Sequence, residues 1–187
     1  MRFQNAASSV ALALALVMGP SACDKLKQAG AASSGPASVD DKRLVNAESD
    51  PANWITHGGS YNEQRFSRLT DVNDSNVDKL SLAWSYDLDT NRGQEATPLV
   101  IDGVMYTTTA WSKVVALDAA TGKELWTYDP ELPGERGHSA CCDVVNRGVA
   151  VWKGKVFVGT IDGRLIALDA ATGEPVWQQQ TVDLERP

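Results

Sequence analysis

Two of the chain's three cysteines, Cys141 and Cys142, are neighbours, and that spacing sets what they can do. A disulfide prefers Cα atoms roughly 4.4–6.8 Å apart, whereas neighbours across a trans peptide stand about 3.8 Å apart. A bond between them is therefore strained, and two free thiols are the alternative. Counting favours the bond, because the third cysteine, Cys23, stands apart at the end of an apolar run. The same segment, CCDVVNRG, carries Arg147, whose planar fork suits a carboxylate partner through two charge-assisted hydrogen bonds. Asp143 and Asn146 are turn formers that support the loop. Glu95 lies upstream in RGQEATP. Taken alone, Glu95 and Arg147 read as surface charges. His57 and His138 have no partner at metal-ligand spacing, and no Cys-x-x-Cys-His run is present to hold a c-type haem.

The compartment follows from the first residues. Arg2, the apolar run Val10 to Met18 and the small exit Gly19 to Ala22 give the order of a secretory signal. The run is shorter than the ~20 apolar residues of a spanning helix. Residues 1–22 are thus expected to direct export to the periplasm, an oxidising address that permits disulfides. Cys23 follows directly and resembles the lipidated first residue of a bacterial lipoprotein. Asp24 behind it resembles an inner-membrane retention signal. Pro20 departs from the usual Leu-like residue of such signals, which leaves ordinary cleavage nearby as the alternative. Acyl chains on Cys23 would add a membrane anchor worth ~0.8 kcal/mol per buried methylene. Residues 23–50, rich in Ala, Ser, Gly and charge, are expected to form a flexible linker. With 17 Lys plus Arg against 24 Asp plus Glu, the chain carries a formal charge of −7 and has no basic excess for a nucleic-acid backbone.

What positions these residues is a repeat. Shifting the sequence by 51 residues lays ALDAATG at 116–122 on an identical ALDAATG at 167–173, and Trp126 on Trp177. Without gaps, 98–129 matches 149–180 at 11 of 32 positions. Periods of this size belong to solenoids and propellers. Within each copy, four short β-branched runs alternate with turn signals. Asp102-Gly103 and Asp162-Gly163 read as type I′ hairpins, in which both turn residues have positive φ. In DAATG the glycine takes a left-handed position while the Asp and Thr side chains bond back to the turn. Four antiparallel strands per ~50 residues make a β-propeller blade, so the fold class is all-β. Trp126 and Trp177 are expected to pack blade on blade. Trp84, in LAWSYD, echoes them and is expected to mark a strand of an earlier unit. Two blades cannot close a ring of about 4–8. The chain therefore reads as a fragment of a longer propeller or as one that assembles with other copies.

Both copies fit A-x-D-x-x-T-G-K/E-x-x-W, which resembles the tryptophan-docking repeat of quinoproteins. Three further segments narrow the likeness: WITHGGSYNEQRFSRLTDVN at 54–73, LAWSYDLDTNRGQEATPLV at 82–100 and GHSACCDVVNRG at 137–148. Together they resemble the amino-terminal part of a pyrroloquinoline-quinone (PQQ)-dependent alcohol dehydrogenase, over essentially all of 51–187.

The resemblance implies part of an eight-bladed propeller that oxidises primary alcohols to aldehydes and passes electrons to an acceptor such as a cytochrome c. It implies that the ring formed by Cys141 and Cys142 lies flat on one face of the quinone. It also implies that Arg147 pairs with a quinone carboxylate and that Glu95 lies near those carboxylates. The calcium or lanthanide ion, its ligands and the catalytic aspartate of such enzymes map beyond this chain. The isolated chain is accordingly expected to be inactive. The rival is a non-enzymatic propeller lipoprotein of the outer-membrane assembly type, which shares the export signal and the repeats. It has no use for adjacent cysteines or for RGQEATP. A quinoprotein sugar dehydrogenase differs mainly in lacking the cysteine pair.

Overall fold

The computed structural model describes residues 35–183. The export-like segment, Cys23 and the first part of the expected linker lie outside the described residues. Two four-stranded antiparallel sheets form from the two sequence copies. The first comprises β1 (Leu99–Ile101), β2 (Val104–Thr108), β3 (Val114–Asp118) and β4 (Glu124–Tyr128), paired in chain order. The second comprises β5 (Ala150–Trp152), β6 (Lys155–Gly159), β7 (Arg164–Asp169) and β8 (Pro175–Gln180). Registers repeat with the sequence: Ala116 faces Trp126 and Ala167 faces Trp177, each followed by the same register shift. In β3, Val114 to Leu117 are all buried. A strand covered on both faces reads as a continuous apolar run rather than an alternating one.

The turns explain how the tryptophans dock. Asp118 Oδ1 accepts from the backbone N–H groups of Ala120 and Thr121 and from Thr121 Oγ1, at 3.1, 2.8 and 2.7 Å. The hydroxyl bond from Thr121, followed by the backbone bonds, holds the Asp118 carboxyl below its ordinary value. Asp169 repeats the arrangement with Ala171 and Thr172. The turn closes on Gly173 at φ +76°, and the Trp126 ring lies against it. Trp126 Nε1 donates to the Ala170 carbonyl at 3.1 Å, and the buried Tyr106 hydroxyl donates to the same oxygen at 3.2 Å. Burial pushes that hydroxyl far above its ordinary titration range. Trp84 stands in the same relation to the first blade, with Nε1 donating to the Ala119 carbonyl at 3.2 Å and the ring against Gly122.

A Cβ on Gly173 would sit 2.6 Å from a Trp126 ring atom, in a backbone region that L side chains avoid. Gly173→Ala should therefore lower unfolding free energy by about 2 kcal/mol or more, combining the left-handed and overpacking penalties. A urea melt showing less than half that loss would mean the ring is not clamped on this turn.

Three expectations are corrected here. Residues 35–50 are not a linker. Ala37 and Val39 are fully buried, and their carbonyls accept from Gly154 N at 3.0 Å and Lys153 N at 2.8 Å. Helix α1 (Asp41–Val45) then brings Arg43 onto both carboxylate oxygens of Asp102, at 2.9 and 2.8 Å, and onto Asp50. The segment is a strap laced to the β1–β2 and β5–β6 hairpin turns. Its small and polar residues look like linker because the few apolar side chains that it buries, Ala37, Val39 and Ala47, are small, and backbone carbonyls and one guanidinium add to the holding. Second, Asp162-Gly163 is not a type I′ turn. Only Gly163 has positive φ, whereas Asp102-Gly103 and Lys153-Gly154 have positive φ at both residues. The loop from Thr160 to Arg164 is longer, closed by Gly163 N donating to the Thr160 carbonyl. Third, LAWSYD joins no sheet among the described residues. Trp84 docks there without a strand partner.

Candidate functional site

The antiparallel order fixes which loops share a rim. The turns at 102–103, 118–122, 153–154 and 169–173 lie at one end of the strands, with the strap. The other end gathers the β2–β3 turn, the approach to β1 (residues 86–98) and the connection from β4 to β5 (residues 129–149). The anticipated quinone-site residues Glu95, Cys141, Cys142 and Arg147 all lie in those last two segments, whereas Cys23 lies outside the described residues.

The two segments run against each other. Thr97 N donates to the Arg147 carbonyl at 3.3 Å. Gly148, at φ +119°, lets the chains approach so closely that a Cβ there would stand 3.0 Å from the Thr97 carbonyl oxygen. Arg147 Nη2 lies 3.5 Å from Glu95 Oε2, and the arginine side chain is 79% exposed. That contact is too long for a good hydrogen bond, so the fork stays open to a stronger carboxylate. Arg92 Nη1 meets Asp143 Oδ1 at 2.9 Å, which ties the RGQEATP segment to the residue after the cysteines.

Cys141 and Cys142 are bonded to each other through a trans peptide, with Cα atoms 3.8 Å apart, and both are exposed. Behind them Val144 is buried. Asn146, read from sequence as a turn former, does more: its amide donates to Ser112 Oγ at 3.0 Å and to the Gly159 carbonyl at 2.8 Å, and accepts from Gly148 N at 3.0 Å. Both blades and the loop's own turn thus converge on one side chain. Glu95 and Arg147 are brought together, and the cysteine pair is tied to the same segment through Asp143 and Arg92.

Sequence reasoning missed Arg92, Trp111 and Ser112. The available signal was a break in the repeat, since Trp111-Ser112 occupies the positions that hold Asp162-Gly163 one repeat later. An open cleft of about 970 Å³ borders this end, with Arg92, Trp111 and Lys113 among its lining residues. His57 lies against Arg65, and His138 is exposed. Among the described residues, no three His, Cys, Asp or Glu side chains converge to hold a metal ion.

This rim therefore presents an open guanidinium fork, a donor group suited to a carboxylate, and an exposed disulfide ring on the same connection. A non-reduced digest of the protein should show the peptide containing both cysteines two daltons lighter than its reduced form, the loss of two hydrogens per bond. Labelling of both as free thiols would contradict the bond.

Comparison with known proteins points the same way. Residues 54–186 match the family described as PQQ: glucose/ethanol/alcohol dehydrogenase, β-propeller domain. The dehydrogenase subunit of a quinone alcohol dehydrogenase from Komagataeibacter europaeus is 58% identical over 155 residues, which is 80% of this chain and 21% of that protein. A 1-butanol dehydrogenase (cytochrome c) from Thauera butanivorans is 58% identical over 135 residues, 72% of this chain and 20% of its own length. The solved quinohemoprotein alcohol dehydrogenase ADHIIG from Pseudomonas putida HK5 superposes with a TM-score of 0.79 at 55% identity, covering 81% of this chain and 22% of that one. The chain thus spans about a fifth of the length of these relatives.

Proposed function

We propose, since this chain belongs to the PQQ glucose, ethanol and alcohol dehydrogenase β-propeller family, that it forms the amino-terminal part of a periplasmic enzyme oxidising primary alcohols to aldehydes. The observation that carries this reading is the presence, on one connection at one rim, of an exposed vicinal disulfide and an open arginine fork that reaches towards Glu95 on the neighbouring segment. A non-enzymatic scaffold has no use for either.

PQQ is a flat tricarboxylate, and the residues present fit two of its features. Arg147 holds a carboxylate, with Glu95 keeping the guanidinium directed between binding events. The disulfide ring, which has no rotatable side-chain end, offers a rigid floor against one face of a planar ring system. When bound, the quinone supplies the two-electron acceptor that alcohol oxidation requires. The described residues offer no metal cluster and thus do not fit a metal ion. Calcium or a lanthanide would be held by residues elsewhere in the full-length protein.

A cytochrome c is the proposed electron acceptor, supported by the cytochrome-linked butanol dehydrogenase among the relatives. Export is supported by residues 1–22, and anchoring to the inner membrane would come through Cys23 if it is lipidated. The test is alcohol-dependent reduction of an artificial electron acceptor by the full-length protein, before and after loading with PQQ. Activity with ethanol or 1-butanol only after loading supports the proposal. A protein that takes up no PQQ refutes it.

A further inference from the structure

Trp111 and Ser112, at the tip of the β2–β3 turn, are consecutive non-glycine residues in the left-handed region, at φ 62° and 56°. Any residue with a Cβ resists that conformation. The second blade avoids it, because at the equivalent positions only Gly163 is left-handed. Local strain of this kind persists where surrounding contacts over-determine it, and it gathers at functional sites.

Here the contacts all lead to the loop that carries the disulfide and the arginine. Trp111 N donates to the Val144 carbonyl at 2.8 Å. Ser112 is fully buried, and its Oγ accepts from Asn146 Nδ2 at 3.0 Å. Thr108 Oγ1, at the end of β2, donates to the Asn146 carbonyl at 3.3 Å. The Trp111 ring lies over Gly137, where a Cβ would come within 3.1 Å of it, so the turn also touches the chain ahead of Cys141. Val144 and Asn146 stand between Cys142 and Arg147. The strained turn therefore grips the loop on both sides of the cysteine pair and next to the arginine.

We infer that Trp111 and Ser112 are positioning residues for the quinone site, setting the loop from Cys141 to Arg147 through Val144 and Asn146. The inference rests on the quinone-binding reading above. It implies that the first blade departs from the repeat at this turn because a hydroxyl and a backbone N–H are needed there, which a relaxed Asp-Gly turn would not present to the loop.

The test compares Ser112→Ala, which removes the hydroxyl and keeps the strain, with Ser112→Gly, which removes both, in the full-length protein. Three quantities are measured: PQQ affinity by titration of the apo form, its melting temperature, and the rate at which a water-soluble phosphine reduces Cys141–Cys142. Both variants should bind PQQ at least fivefold more weakly and lose the disulfide at least threefold faster. The glycine variant should nevertheless melt at or above the alanine variant, because glycine accepts positive φ. Affinity within twofold of wild type in either folded variant overturns the inference. So does an affinity loss that follows melting temperature across the two, since the turn would then act only on the fold. Should the glycine variant not fold, the alanine variant decides by affinity and reduction rate. Wild-type protein that binds no PQQ refutes the quinone reading itself, which separates the two failures.

Discussion

Arg147→Ala in the full-length protein should weaken PQQ binding by ten- to more than a hundredfold, with little change in the melting temperature of the apo form. The arginine side chain is 79% exposed, and its one ionic contact among the described residues, to Glu95, is 3.5 Å long, so the fold has little to lose with it; exposed pairs of this kind contribute about 0–1 kcal/mol. A charge-assisted hydrogen bond to a ligand carboxylate contributes roughly 1.5–3 kcal/mol, and each ~1.4 kcal/mol is tenfold in affinity. Arg147→Lys should recover only part of the loss, because an ammonium cannot present two parallel donors. Unchanged affinity in a titration of folded Arg147→Ala protein would show that the carboxylate partner is another residue.

Trp126→Ala should remove about 3–5 kcal/mol of stability, the range for deleting a large aromatic from a packed interior. Trp126 is 8% exposed, stacks near Tyr106 with ring centroids 5.9 Å apart, and bonds the Ala170 carbonyl of the next blade. Trp177 is its repeat equivalent, with Phe157 also at 5.9 Å. Among the described residues, however, no turn covers Trp177, and it is 41% exposed. In the chain of 187 residues, Trp177→Ala should therefore have less than half the effect of Trp126→Ala. Equal losses in urea melts of the two variants would mean that the tryptophans act within their own blades rather than between them.

The parts of this fold that were legible in the sequence are those built from side-chain pattern. ALDAATG recurs because the Asp, Thr and Gly each perform a local task in the turn, and the continuous apolar runs of β3 and β7 announce strands covered on both faces. The strap at 35–50 was not legible. Ala37 and Val39 act there through backbone carbonyls, and Arg43 acts through a partner 59 positions away, which no local pattern reveals. At the site, the cysteine pair, Glu95 and Arg147 could be named from motifs. The residues that hold them in place could not. Ser112 contributes one hydroxyl and Trp111 one N–H, and their only mark is a departure from the repeat. Asn146 looked like an ordinary turn residue because its three partners come from three different stretches of chain.

If this rim is the floor and clamp of a quinone site, a structure of the full-length protein with PQQ bound should show it. The quinone ring should lie flat against the Cys141–Cys142 disulfide, with one carboxylate within hydrogen-bond reach of the Arg147 fork and Glu95 beside it. Quinone bound away from the disulfide, or with Arg147 turned to solvent, would rule out that role for this rim.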